Sequence, residues 1–289
     1  MITIFTPTYN REKTIVRTYN SLQKQTCRDF EWLIVDDGST DHTEQLVRSW
    51  IQEGILLIRY VKQPNKGKYM AYNEGLRNAK SEFFMCVDSD DWLPENAVEK
   101  ILSYADTLRS DSQLAGIAAI KEYPNHSIIG KLFRADINRS KLYHLECIGQ
   151  GGERSRIFKT SVAKLYPFPE DSGEKFMTES VIYDRFEDNY EFLVTNDILT
   201  TCEYQPDGLS SNPKLTMVKN PAGYKLYFAQ RIDLSSSLQT RISNILRYHA
   251  FRYMLGKPLY NYKGKHQLLT AALSPLGCIV AKLNYLRTI

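Results

Sequence analysis

The chain has 289 residues, 43% of them hydrophobic and 24% charged, which is ordinary globular composition with enough length for a full core. It shows no fixed-period repeat, and its five cysteines are scattered without a CxxC pair, so neither a disulfide framework nor a cysteine metal cluster is expected. The net charge of +4 hides an asymmetry: residues 213–289 hold twelve Lys and Arg against one acid, Asp233, whereas residues 1–212 hold 25 against 32.

The first residues, Met1 to Phe5, read as a strand and lack the basic and apolar regions of a signal peptide, so the chain is expected to stay in the cytoplasm. Apolar runs at Ile2–Phe5, Trp32–Val35, Ile55–Val61 and Phe83–Val87 predict four strands. Helical spacing fills the gaps. Ile15, Tyr19 and Leu22 share one face; Leu46, Val47 and Trp50 share another, after the capping candidates Ser39, Thr40 and Asp41. Met70, Tyr72 and Leu76 mark a third helix, and Pro94 opens a fourth carrying Val98, Ile101 and Leu102. Such alternation implies a parallel sheet covered on both faces, with ligands beyond the carboxyl ends of its strands.

Residues 111–212 are less regular. Leu114–Ile120 and Ile128–Phe133 suggest strands, Gly149, Gly151 and Gly152 suggest turns, a helix is expected over Phe176–Phe186, and Ile198–Tyr204 reads as a further strand. From Pro213 onward the pattern is helical, basic and aromatic. Leu238, Ile242, Ile245 and Leu246 form an apolar stripe, with Arg241, Arg247 and Arg252 placed away from it. Leu268–Leu286 is apolar but interrupted by Pro275, Gly277 and Lys282, which favours a helix lying on a bilayer or packing on the protein over one that spans.

The segments after the four strands carry the chemistry. Asp88-Ser89-Asp90-Asp91 clusters carboxylates that repel one another. Mg²⁺ or Mn²⁺ would relieve that repulsion and neutralise a diphosphate leaving group. Asp91 has a competing reading as a cap before Trp92-Leu93-Pro94. Asp36-Asp37-Gly38-Ser39 can place a carboxylate on a base N–H or a ribose hydroxyl, or can be a turn and cap alone. Asn65-Lys66-Gly67-Lys68 can set a cation on a diphosphate.

These pieces, together with Thr6-Pro7-Thr8-Tyr9-Asn10-Arg11 and Asn73-Glu74-Gly75-Leu76, resemble in order and spacing the family 2 bacterial glycosyltransferases of GT-A fold. The resemblance is close over residues 1–110 and looser over 111–212. It implies an α/β GT-A domain at 1–212, with a nucleotide-sugar-binding half at 1–110, an acceptor half at 111–212 and a helical extension at 213–289. It further implies that Pro7, Thr8 and Tyr9 hold the nucleoside, Asp37 meets the base with Asp36 in support, and Lys68 approaches the base or diphosphate. Asp88, with Ser89 beside it, would touch ribose or donor sugar, and Asp90, joined by Asp88, would bind Mn²⁺ or Mg²⁺. Where many members show Ala-Arg-Asn, this chain has Ala71-Tyr72-Asn73, which shifts the basic role toward Lys68.

Transfer with inversion needs a carboxylate to take the acceptor's proton. Gly173-Glu174-Lys175-Phe176-Met177-Thr178-Glu179-Ser180 resembles a variant seen in some members; Glu179 is the expected base, with a capping or solvated glutamate as its competing reading, Glu174 second and Asp184 and Asp171 behind. The histidine that many relatives carry near Glu203–Ser210 is missing, leaving Asp207 as a substitute or the loop as a cover.

The expected reaction is inverting transfer from a UDP-type sugar nucleotide to a saccharide or lipid-linked acceptor in bacterial surface polysaccharide synthesis. The competing readings are a metal-dependent sugar nucleotidyltransferase, against which the glycine-free Thr6–Arg11 segment counts, and a non-catalytic sugar-nucleotide binder. The basic, tyrosine-rich tail suits an anionic membrane surface, so the enzyme is expected to sit peripherally on the inner face of the cell membrane; a C-terminal helical subdomain or oligomer contact with solvated lysines is the alternative, and without a stacking motif no nucleic-acid partner is expected.

Overall fold

The computed structural model describes residues 1–170, 172–205, 212–257 and 261–286. The first half alternates strand and helix: β1 (Ile2–Thr8), α1 (Ile15–Gln23), β2 (Phe30–Asp36), α2 (Thr43–Glu53), β3 (Ile58–Lys62), α3 (Lys68–Asn78) and β4 (Phe83–Cys86). Then follow α4 (Ala97–Ser103), α5 (Ala105–Ser110), β5 (Leu114–Glu122), β6 (Arg139–Ser140), α6 (Leu142–Cys147), β7 (Ser155–Lys159), α7 (Thr160–Ala163), α8 (Ser180–Tyr183) and β8 (Glu191–Thr201). The chain ends in α9 (Pro213–Lys219), α10 (Pro221–Leu234), α11 (Leu238–Met254), α12 (Gln267–Leu273) and α13 (Gly277–Asn284).

The strands form one sheet in the order β3-β2-β1-β4-β7-β5-β8-β6. β1, β2, β3 and β4 run parallel, as does the β5–β8 pair, while β7 lies antiparallel between β4 and β5. All seven residues of β1 and of β2 are buried, because helices cover both faces and leave no polar side to the strand. On one face Tyr19 of α1 stacks on Trp50 of α2 at 4.1 Å, and Trp50 stacks on Trp32 at 5.8 Å. On the other, Tyr72 of α3 meets Phe5 and Phe84 edge-on at 5.9 and 5.5 Å. The fold is thus the expected mostly parallel α/β sheet with flanking helices and a helical C-terminal region.

Several local expectations are corrected. The third strand begins at Ile58, since Ile55 and Leu57 are exposed. Ile128–Phe133 forms no strand beyond a single bridge between Glu122 and Ile128. The helix expected over Phe176–Phe186 shrinks to α8 and a 3₁₀ turn at Asp184–Phe186, and the late strand starts at Glu191 rather than Ile198. Helix α2 starts after Asp41, whose carboxylate takes the Thr43 amide, while Ser39 and Thr40 bond Asn10 instead.

The chain divides into two compact units: residues 1–168 with 186–204, and residues 169–185 with 205–289. The segment that holds Glu174 and Glu179 groups with the C-terminal helices. In this second unit α10 and α11 pack around Tyr224, Phe228, Ile232, Ile245, Tyr248 and Phe251. Arg252 is only 4% exposed, and Leu238 is 59% exposed, so the stripe on α11 is turned from the face that the apolar spacing alone indicates. Tyr224, Tyr248, Tyr262 and Tyr285 are core residues, and Tyr260 lies outside the described residues. Leu268–Leu286 is α12 and α13 joined by a 3₁₀ turn at Ser274–Leu276; among the described residues no helix is long and apolar enough to cross a membrane.

Candidate active site

The parallel strands end together, so their following loops share one rim, and hydrogen bonds tie those loops to each other. Asn10 takes a positive φ of 54° just past β1. That turn aims its Oδ1 at the Thr40 amide at 2.8 Å, while its own N–H donates to Ser39 Oγ at 2.9 Å. Pro7 and Thr8 are buried at the end of β1 and Tyr9 is 45% exposed. The Thr8 hydroxyl is buried with no protein partner.

Asp36 and Asp37 are both interior, at 0% and 4% exposure. Asp36 Oδ1 accepts the Ser39 N–H at 2.7 Å and Oδ2 accepts the Tyr60 hydroxyl at 2.5 Å; burial, then this carboxylate, push the Tyr60 phenol up. Asp37 Oδ1 accepts from Gln63 Nε2 at 2.7 Å and Lys66 N at 2.8 Å, and Oδ2 accepts from Gly67 N at 2.7 Å. Asp37 therefore holds the 63–67 loop against the end of β2. Gly38 completes this turn with a φ of +84°, and a Cβ there would lie 3.0 Å from Asn65 N.

Lys68, the first residue of α3, sets its Nζ 2.8 Å from each oxygen of Asp88. Asp88 and Asp90 are partly exposed, with Ser89 buried between them. Burial, then the Asp88 carboxylate, push the Asp90 carboxyl above its usual range, against the pull of Arg11 and Lys68. Two carboxylates are thus faced by two cations at the carboxyl end of β4.

Asp91 does not cap α4; it is buried 3.0 Å from Cys202 Sγ and 3.4 Å from Lys121 Nζ. Burial first, with Asp88 adding, pushes its carboxyl up to about 6 while Lys121 pulls it down. Burial disfavours the Lys121 ammonium, but Asp91 outweighs that and holds it protonated. The Asp91 N–H donates to Asp88 O at 2.9 Å, so this pair braces the acidic turn from beneath. Sequence reading missed Lys121, Cys202 and Asn10; an asparagine in a post-strand turn is the one local signal among them.

Among the described residues no third His, Cys, Asp or Glu joins Asp88 and Asp90 to make a cluster able to hold a metal. Two carboxylates still fit Mg²⁺ or Mn²⁺, which commonly take one or two from the protein and fill the remaining positions with phosphate oxygens and water.

In the second unit Glu179 opens α8 and accepts the Tyr183 hydroxyl at 2.8 Å. Glu174 instead accepts the Ala222 and Gly223 amides at 2.6 and 2.8 Å, closing the N-terminus of α10. Its carboxyl is pushed up by burial, against those two N–H groups. Asp184 is buried in an ion pair with Arg231. Asp171 and Asp207 lie outside the described residues.

A parallel sheet with an acidic turn after its fourth strand, continued by an antiparallel β7, is the GT-A arrangement. The sequence profile described as Glycosyl transferase family 2 matches residues 3–163, and the chain belongs to that family. It is 26% identical over 207 residues to the poly(ribitol-phosphate) beta-N-acetylglucosaminyltransferase TarP of Staphylococcus aureus, covering 68% of this chain and 63% of TarP. It is 37% identical over 115 residues to the chondroitin synthase of Escherichia coli, covering 40% of this chain and 16% of that protein. The chain thus spans less than two thirds of the length of these relatives. Among solved structures, S. aureus TarS 1-349 in complex with UDP-GlcNAc superposes with a TM-score of 0.64 at 19% identity, covering 97% of this chain and 90% of that one. The mannosyltransferase PcManGT of Pyrobaculum calidifontis, in complex with GDP-Man and Mn²⁺, gives 0.56 at 20% identity, covering 99% and 82%.

Proposed function

We propose that this chain is an inverting glycosyltransferase that moves a sugar from a nucleotide-diphosphate sugar, best a UDP-sugar, to a saccharide or lipid-linked acceptor of a bacterial surface polysaccharide. The observation that carries the reading is the Asp88–Asp90 carboxylate pair at the end of β4, faced by Lys68 and Arg11 in a family 2 fold. A relative solved with UDP-GlcNAc favours uridine, and the names of TarP and chondroitin synthase favour a polymer acceptor.

In this reading Pro7, Thr8 and Tyr9 border the nucleoside. The unpartnered Thr8 hydroxyl suits a polar ligand atom. A carboxylate has about four lone-pair sites and Asp37 uses three, leaving one for a base N–H while Asp36 keeps the turn rigid. Asp88, already matched by Lys68, meets the ribose or donor sugar with Ser89 beside it; Asp90 is left for the metal. Mg²⁺ or Mn²⁺ bound there would neutralise charge on the departing diphosphate. Glu179 removes the proton of the acceptor hydroxyl as its oxygen bonds to the sugar's anomeric carbon and the carbon–oxygen bond to the diphosphate breaks. Glu174, spent on α10, is the weaker base.

Incubating the chain with a panel of nucleotide sugars and Mn²⁺ or Mg²⁺, and measuring nucleoside diphosphate release, tests the reading. One donor should be turned over, with release lost in Asp90→Asn. Release from no donor, or release unchanged in that variant, refutes it.

A further inference from the structure

The strongly basic C-terminal region is not simply a solvated face. Arg231 is buried on Asp184, Arg241 bonds the Ile232 and Ser235 carbonyls at the end of α10, and Arg247 lies over Phe228. Three of the other cations gather at one place. A cleft of about 320 Å³ opens between α10, α11 and the 261–264 turn, near the lower end of small-molecule site volumes.

Three cations line it, Lys225, Lys263 and Arg252, against one carboxylate, Asp233. That carboxylate is already engaged by the Tyr262 hydroxyl and the Lys265 amide. Neither Lys225 nor Lys263 is within salt-bridge distance of a carboxylate among the described residues. Arg252 is 4% exposed and donates from Nη1 to the Tyr248 hydroxyl at 3.1 Å. A buried guanidinium fixed in this way is a rigid element of a site, unlike a surface lysine. The wall also holds an acceptor: Gln230 donates its Nε2 to Val181 O at 3.0 Å, leaving its Oε1 buried with no partner. A ligand that satisfies this wall carries an anion for the cations and a hydroxyl to donate to Gln230.

We propose that this cleft binds an anionic saccharide, one bearing phosphate or carboxylate groups, and so retains a charged acceptor chain. The retention role rests on the transferase reading above; the binding itself does not.

Titration calorimetry on the full chain would use three soluble probes: a glycerol-phosphate oligomer, a glucuronate-containing oligosaccharide and a neutral maltooligosaccharide. Vesicles of anionic phospholipid form a fourth arm. At least one charged glycan should bind at least tenfold more tightly than the neutral one, and the arm that binds identifies the anion as phosphate or carboxylate. Lys225→Ala with Lys263→Ala should weaken that binding at least tenfold, about 1.4 kcal/mol, and the corresponding double Arg variant should restore it. Equal binding of the neutral glycan, wild-type affinity in the double Ala variant, or binding to vesicles alone overturns the proposal. Asp90→Asn should abolish nucleoside diphosphate release and leave this binding intact. If no nucleotide sugar is turned over while the charged glycan still binds, the transferase reading fails and the cleft stands.

Discussion

Replacing Asp37 with Ala tests whether the carboxylate chiefly builds the nucleotide pocket or chiefly touches the ligand. The substitution removes three hydrogen bonds of 2.7–2.8 Å to a charged acceptor and leaves the Lys66 and Gly67 amides without their partner. Leaving a buried donor unsatisfied costs about 1–3 kcal/mol. Gly67 is buried and would incur that in full, whereas Lys66 is exposed and its amide can turn to water. With the bond from the Gln63 side chain also lost, at about 1 kcal/mol, the total loss is about 2–4 kcal/mol. At about 2–4 °C per kcal/mol for a unit of this size, the transition should drop by about 4–16 °C. All three tryptophans, Trp32, Trp50 and Trp92, lie in residues 1–168, so intrinsic fluorescence follows the unfolding of the sheet-containing unit separately from the C-terminal helices. UDP binding, measured well below the transition, should weaken in proportion to loop disorder. If Asp37→Ala unfolds within about 0.5 kcal/mol of the wild type yet loses UDP binding outright, the carboxylate serves the ligand and not the loop.

Gly116→Ala should unfold the same unit, because its Cβ would sit 1.8 Å from Ile157 O across the β5–β7 pair; a loss of at least about 3 kcal/mol in urea titration is expected. Glu31 is buried and takes bonds from the Thr3 hydroxyl at 2.7 Å and Arg59 at 3.1 Å; burial raises its carboxyl, but these two partners outweigh it and hold the group low. Its contribution is therefore present above about pH 4.5, its ordinary value, and fades as pH falls through the lowered one. Glu31→Gln should cost about 1–3 kcal/mol at pH 7 and progressively less on acidification, and a pH-independent difference would contradict this. Glu174→Ala should loosen α10 by about 1–2 kcal/mol, seen as faster amide exchange at its first turn, with turnover kept. Glu179→Gln should instead cut turnover by about 10² to 10⁴ while donor binding persists.

The Asp91 turn shows where sequence reading stops. Its partners Lys121 and Cys202 stand 30 and 111 residues away, and nothing in the local pattern separates a helix cap from a buried ion pair. The same holds for Glu174, whose amide partners lie 48 and 49 residues downstream. The tyrosines of the tail had the composition of an interface belt, yet Tyr224, Tyr248, Tyr262 and Tyr285 stack inside a helical core. Composition does not reveal which side of a helix is covered.

By itself the sequence determined the β1–β4 half and its rim of polar loops. There β1, β2 and β4 centre on apolar runs, each covering helix repeats at its own period, and each loop motif is contiguous, so the signal lies within a few residues. Only the tertiary structure decided that β7 enters antiparallel between β4 and β5, that residues 169–185 group with the C-terminal helices, and that Asp37 spends three bonds on a neighbouring loop. Those outcomes depend on contacts between segments far apart in the chain, which no local period or composition encodes.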